Sequence, residues 1–330
     1  MNKPPTFYTP EAVGQVRLSP WGRVQEEAHR WKQKYNITPA SEDQKRIALF
    51  GIDCQIGFCA PGASLYVPGA EADMRRAVEW LYRHLGEIHQ LYFSLDTHHL
   101  YQIFHADWWQ DEEGNPPPPL TPITAAEIKA GRWIPKQSPD ASLEYCERLE
   151  SRGKYTLTIW PYHTLLGSVS HALLPDVMEA VSFHGLVREQ APRFLVKGEH
   201  PQTENYSVFS PEVQELSSQE VGRFEQELLM ELLEFEQVYV IGEARSHCVL
   251  STLQDLERQL QQQFPREARD LFGKFVLLED TTSPVPAPPI DPLPPSLNFP
   301  VIAEQELQRM ESNGLRRTTT EQPLEGSLKS

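Results

Sequence analysis

The apolar runs of this chain are short, and each breaks off at a polar or charged residue. Arg46-Ile-Ala-Leu-Phe-Gly-Ile-Asp53 ends on an acid, and Leu91-Tyr-Phe-Ser-Leu-Asp96-Thr-His98 on an acid and an imidazole. Pro192-Arg-Phe-Leu-Val-Lys197 ends on a lysine, and Tyr239-Val-Ile-Gly242 runs into Glu-Ala-Arg-Ser-His-Cys248. Unbroken apolar runs of strand length fit strands buried on both faces. They predict strands near 46–53, 91–95, 193–197, 237–242 and 274–279, with a sixth near 315–319. Helical segments alternate with them: Ala70 to Gln90, Leu173 to Gln190, Glu212 to Glu234 and Cys248 to Leu260. In the last, Val249, Leu250, Leu253, Leu256 and Leu260 recur at helical spacing. The alternation predicts an α/β fold, a parallel sheet with helices on both faces.

Three segments fall outside that rhythm. Residues 1–44 form an N-terminal extension, in which Ser19-Pro20 opens a helix carrying Trp21, Val24, Ala28 and Trp31 as an apolar stripe. The stripe is expected to pack on the body or across a dimer interface. The main domain is set at 45–283 and holds an insertion at about 109–158. That insertion has a proline run at 116–119, a capped helix from Thr124 and a charged helix from Ser142 to Arg152. It serves as a lid over the cleft or as a surface elaboration. Residues 284–330 comprise a proline-rich arm, a helix from Val301 to Ser312 that stops at Asn313-Gly314, and a polar tail.

Composition narrows the function classes. At 330 residues with a formal charge of −16, the chain is ill suited to a phosphate backbone, so nucleic acid is not an expected partner. No apolar stretch reaches membrane-spanning length and no signal-peptide core is evident, so the expectation is a cytoplasmic protein without membrane attachment. The four cysteines have no metal or disulfide spacing.

The chemistry gathers at the strand ends. In open α/β sheets the site lies beyond the carboxyl ends of the strands, where Asp53, Lys197 and Cys248 converge. A thiol at a helix start meets unpaired N–H groups and the positive dipole end, which favours thiolate. Asp96 and His98, two apart in an extended segment, share a face and can grip one ion. The plainer alternative makes His98, His99 and His105 surface or hydrogen-bonded core residues.

Three motifs, taken in order, resemble those of the nicotinamidase/isochorismatase-like cysteine hydrolases. They are Asp53-Cys-Gln-Ile-Gly-Phe-Cys-Ala-Pro-Gly, then Lys197-Gly with Glu204-Asn-Tyr-Ser-Val-Phe, then Gly242-Glu-Ala-Arg-Ser-His-Cys-Val. The resemblance spans roughly residues 45 to 283. It implies a three-layer α/β/α sandwich with a mainly parallel six-stranded sheet. It also implies a triad of Cys248 as nucleophile, Asp53 as base and Lys197 as cation, with an oxyanion hole from the backbone N–H groups of Ala244 and Cys248. A cis peptide between Glu243 and Ala244 is implied too. In that family an Asp-x-His and the His of Trp-Pro-x-His hold a divalent cation, here Asp96, His98 and His163, with His105 as a candidate fourth ligand. The donor set suits zinc, iron or manganese. Phe58, Trp160 and Tyr206 match positions that line the family's substrate pocket. The chain departs from the family with Arg245-Ser246 in place of Thr-Asp, and with Thr164 where a cysteine follows the histidine.

The function expected is hydrolysis of nicotinamide or a related small amide to the acid and ammonia through a thioester, by a homo-oligomer. A metal-independent isochorismatase-like or carbamoyl-amide hydrolase is the alternative. A non-catalytic interaction protein on the same scaffold is the alternative of another class.

Overall fold

The computed structural model describes residues 3–151, 155–289 and 291–324. The strands are β1 (Ile47–Ile52), β2 (Gln90–Asp96), β3 (Arg193–Lys197), β4 (Gln237–Gly242), β5 (Phe275–Leu278) and β6 (Arg316–Thr318). They form one sheet in the order β3-β2-β1-β4-β5-β6, each neighbouring pair parallel. The main helices are α1 (Trp21–Tyr35), α2 (Ala70–Arg83), α3 (Pro139–Ser151), α4 (Pro175–Arg188), α5 (Gln226–Leu233), α6 (Leu250–Gln263) and α7 (Phe299–Ser312).

Strand side chains alternate between faces, and here both faces are apolar. Leu49, Tyr239, Ile241 and Val276 point into one core with Trp31, Met74, Val78 and Val181, from α1, α2 and α4. Phe50, Val238, Val240 and Leu277 point into the other with Leu229, Leu253, Leu256 and Leu307, from α5, α6 and α7. The result is the expected three-layer α/β/α sandwich.

The stripe on α1 packs on α4 of the same chain. Val24 and Ala28 are buried and Trp31 meets Phe183 edge-on, 5.2 Å between ring centroids. Trp21 is excluded from that seam and is half exposed. Arg17 adds an ion pair to the buried Asp176 and another to Glu179.

The helix expected from Glu212 is absent until Gln226. Glu215–Leu216 and Gln219–Glu220 pair as a small hairpin, whose turn holds Ser217 and Ser218 at φ 49° and 62°. Val213, Leu216 and Val221 suggest a helical face, but they are buried against the insertion. That insertion has its own apolar cluster, with Trp108, Trp109, Trp133, Tyr145 and Leu157. Its short helix Ala125–Lys129 starts on a reciprocal Thr124/Glu127 capping box.

Candidate active site

β1 and β4 lie side by side, yet the chain winds outward from them in opposite directions. Such a reversal leaves a crevice at the strand carboxyl ends that no crossover covers. Asp53 follows β1, Asp96 ends β2, Lys197 ends β3, and the segment Glu243–Cys248 follows β4. Asp96 and Lys197 are register partners on adjacent parallel strands, so their side chains leave the sheet on the same face.

Lys197 Nζ is the hub. It lies 2.7 Å from Asp96 Oδ1, 3.0 Å from Asp53 Oδ2, 2.8 Å from the Asn205 carbonyl oxygen and 3.8 Å from Cys248 Sγ. Asp53 has φ 49°, a left-handed conformation sparsely populated for a non-glycine residue. Ser94 holds it there, accepting from the Asp53 N–H at 3.0 Å and donating to Oδ1 at 2.5 Å. Gln55 joins the base loop to β2: its Oε1 accepts the Asp96 N–H at 2.8 Å and its Nε2 donates to the Asp96 carbonyl at 2.9 Å.

Two glycines are required by these approaches. A Cβ on Gly242, at φ 122°, would sit 1.9 Å from the Ile52 carbonyl oxygen. One on Gly198, at φ 85°, would press within 3.0 Å of Asp96 Oδ1 and 3.1 Å of His98. The Glu243–Ala244 peptide is cis, as expected. Cys248 lies in a π-helical turn, Arg245–Val249, that leads into α6.

Burial controls the protonation of this cluster. Burial opposes the charge on Lys197, but Asp53 and Asp96 outweigh it and hold the ammonium well above the ordinary lysine range. Burial also opposes ionisation of Asp96, yet His98 and Lys197 keep it well below the usual carboxylate range. Burial raises the Asp53 carboxyl in spite of Lys197, with Asp96 adding to the rise. Burial pushes the Cys248 thiol well up; Lys197 opposes this and Asp53 adds to it. Burial thus works against the thiolate expected from a position at a helix start. Dehydration of the sulfur opposes the dipole.

Asp96, His98 and His163 come together, with one ligand atom from each lying within 4.8 Å of the others. His98 Nε2 is 2.7 Å from Asp96 Oδ2 but not aligned for a hydrogen bond, and it has no other partner among the described residues. His163 Nε2 is 3.6 Å from the same oxygen, while its Nδ1 is anchored on the Pro161 carbonyl at 2.8 Å. A carboxylate and two imidazoles, buried and converging without satisfying one another, suit a divalent cation. His105 stands beside this group, and its buried Nε2 has no hydrogen-bond partner among the described residues. Its ring centroid is 5.9 Å from that of His98 and 6.3 Å from that of His163, and its Nδ1 turns to the Leu100 carbonyl.

A cleft of about 400 Å³, partly open to solvent, adjoins both groups. Phe58, Trp160, Tyr206, Ala244 and Cys248 line it, together with Asp96 and His163. Trp160 Nε1 donates to the Tyr206 hydroxyl at 3.0 Å, fixing two of these walls relative to each other. Five further wall residues, Leu65, Val67, Glu204, His247 and Val285, were given no role from the sequence. Burial raises the Glu204 carboxyl well above its ordinary value, and Asp96 adds to the rise. The remaining cysteines, Cys54, Cys59 and Cys146, are buried free thiols that do not line the cleft. Ser94 and Gln55 also escaped the sequence reading; their only signals were a hydroxyl within an apolar strand and an amide beside a candidate base.

No protein-family model matches the sequence, and no curated protein matches it. Solved structures do. A nicotinamidase/pyrazinamidase from Acinetobacter baumanii superposes with a TM-score of 0.51 at 21% identity, over 85% of this chain and 98% of that one. The yeast nicotinamidase superposes with a TM-score of 0.52 at 16% identity, over 82% of this chain and 99% of its own. The same yeast enzyme bound to the inhibitor nicotinaldehyde gives 0.52 at 15% identity, over 83% and 99%. With its strand order and three layers, the chain shares the fold of these nicotinamidases.

Proposed function

We propose that this protein is a cysteine amidohydrolase of nicotinamidase type, converting nicotinamide or a related small amide to the acid and ammonia. The observation that carries the reading is the Lys197 hub, which puts a carboxylate, an ammonium and a thiol in contact at the mouth of an aromatic-walled cleft.

In the first half-reaction Asp53 takes the Cys248 proton as sulfur attacks the amide carbonyl carbon. Its raised affinity for a proton suits it as a base for a thiol whose own value is also raised. Lys197 balances the negative charge that this transfer leaves between carboxyl and sulfur. The backbone N–H groups of Ala244 and Cys248, both on the cleft wall, take the oxyanion. Asp53 then returns the proton to the leaving nitrogen, and ammonia departs from a thioester. In the second half-reaction Asp53 draws a proton from water as its oxygen attacks the thioester carbon; the acid leaves and the thiol is restored.

Asp96, His98 and His163 are the residues that would hold a divalent metal ion, zinc, iron or manganese. When bound, the ion supplies a Lewis-acid contact for a substrate lone pair such as a pyridine nitrogen. Phe58, Trp160 and Tyr206 would flank a flat ring. His163→Ala is expected to lower bound metal at least about tenfold, judged by elemental analysis after dialysis. A full metal complement in that variant rejects the ligand assignment.

The direct test is ammonia release from a panel of amides that includes nicotinamide. Release from nicotinamide supports the pyridine-amide reading. Release only from other amides keeps the amidohydrolase reading and moves the substrate elsewhere; release from none rejects it.

A further inference from the structure

His247 precedes the proposed nucleophile and lines the cleft, and the reaction scheme above gives it no role. Its imidazole is enclosed by rings from separate parts of the chain. Tyr155, at the end of the insertion, stacks on it at 4.9 Å with 24° between planes. Phe299, at the start of α7, meets it at 4.9 Å and 67°, and Tyr206 at 5.4 Å and 64°. Burial pushes its pKa down to about 3, so the ring is neutral and one nitrogen carries the only N–H.

The surrounding hydrogen bonds decide which nitrogen. His247 Nδ1 is 2.9 Å from Ser246 Oγ, and Ser246 Oγ accepts the Val285 N–H at 3.0 Å. Ser246 is fully buried. If Nδ1 carried the proton, the serine oxygen would accept twice and its own buried hydroxyl hydrogen would have no acceptor, which is costly. The satisfied arrangement is a relay: Val285 N–H to Ser246 Oγ, then Ser246 O–H to His247 Nδ1. That leaves the proton on Nε2, the ring nitrogen that Ser246 does not engage, on a side chain that lines the cleft. The relay is braced on both sides, since the Tyr155 hydroxyl donates to the Ser246 carbonyl at 2.8 Å and the Arg245 N–H to the Ser283 carbonyl at 2.9 Å.

We infer that His247 is a specificity-determining residue that offers a neutral Nε2–H to the substrate, with Ser246 as the positioning residue that fixes this tautomer. The substrate class it selects is an uncharged amide presenting a lone pair, a carbonyl oxygen or pyridine-type nitrogen, to the nucleophile turn. A group offering only N–H donors at that point, or a cation, would face a donor and be disfavoured. The insertion and the proline-rich arm thus both bear on one imidazole, Tyr155 by stacking and Val285 by the relay. The inference about substrate rests on the amidohydrolase reading; the inference about the tautomer does not.

The two are separated by experiment. Nitrogen-15 spectra of histidine-labelled protein are expected to show His247 protonated on Nε2 in the wild type, with mixed tautomers in Ser246→Ala. A wild-type ring protonated on Nδ1 overturns the inference. Turnover is measured with His247→Phe, which keeps a ring in the aromatic enclosure without either nitrogen, and with His247→Gln, whose amide N–H can stand in for Nε2–H. Nicotinamide kcat/KM is expected to fall about 10- to 100-fold in the Phe variant and to recover in large part in the Gln variant. Iodoacetamide alkylation of Cys248 should change less than about threefold in either variant, which separates loss of recognition from damage to the nucleophile. Wild-type kcat/KM in His247→Phe overturns the inference. If the wild type hydrolyses no amide, the functional reading fails and His247 is judged by nicotinamide binding to Cys248→Ala. Binding about tenfold weaker when His247→Phe is added supports it; equal or undetectable binding in both overturns it.

Discussion

Cys248→Ala is expected to reduce ammonia release about ten-thousandfold or more, because no other thiol lines the cleft to take over the covalent step. The substitution removes one sulfur atom from a residue whose side-chain polar contact is Lys197 Nζ at 3.8 Å. The alanine variant should therefore keep the wild-type circular dichroism spectrum and melt as one cooperative transition. Activity at the wild-type level in a folded Cys248→Ala protein would refute the nucleophile assignment. A variant that is inactive but also unfolded would not count in its favour, so the melt is recorded on the same sample.

Lys197→Met is expected to slow iodoacetamide alkylation of Cys248 at neutral pH by at least about tenfold, because the thiol loses the cation that favours its ionised form. The sign follows from the cluster. Burial already favours the protonated sulfur, and Lys197 is the group that opposes it. Its removal also leaves Asp53 and Asp96 buried without their shared cation, which costs about 3 to 5 kcal/mol unless one of them takes a proton. The pH dependence is directional as well. A thiol raised by folding contributes stability below its unfolded value, and that contribution is lost as pH rises through the folded one. Wild-type alkylation should accordingly still be climbing beyond the ordinary thiol range. A rate that has levelled off by neutral pH, or one unchanged in Lys197→Met, would count against this electrostatic account.

Much of the architecture was legible in the chain because a doubly buried parallel strand has a local signature. The runs ending at Asp53, Asp96 and Gly242 are almost wholly apolar and buried, whereas β3, which ends at Lys197, is an edge strand with Phe194 and Val196 exposed. The structure begins and ends all four within a residue or two of the expected limits. Where the reading went wrong, local pattern and tertiary partner disagreed. Val213, Leu216 and Val221 have a spacing that passes for a helix face, yet each is buried against the insertion. Trp21 extends the α1 stripe in sequence, but it is left half exposed.

The candidate site divides along the same line. Motifs at strand ends marked Asp53, Lys197, Cys248, Asp96 and His98, since residues there must emerge into the crevice, while His163 was marked by the family resemblance alone. The chain could not reveal that Lys197 serves Asp53 and Asp96 together, or that one nitrogen of His105 is held by the Leu100 carbonyl. Nor could it show that burial works against the thiolate at Cys248. Ser94, Gln55 and the Tyr155–His247–Phe299 enclosure carry little sequence signal, because each acts through neighbours tens of residues away. The sequence by itself determined which segments are strands and which polar side chains stand at their ends, through short-range periodicity. Only the tertiary structure decided which of those groups meet, which carry protons, and which outlying rings close the cleft, because those outcomes depend on distance and dehydration between segments far apart in the chain.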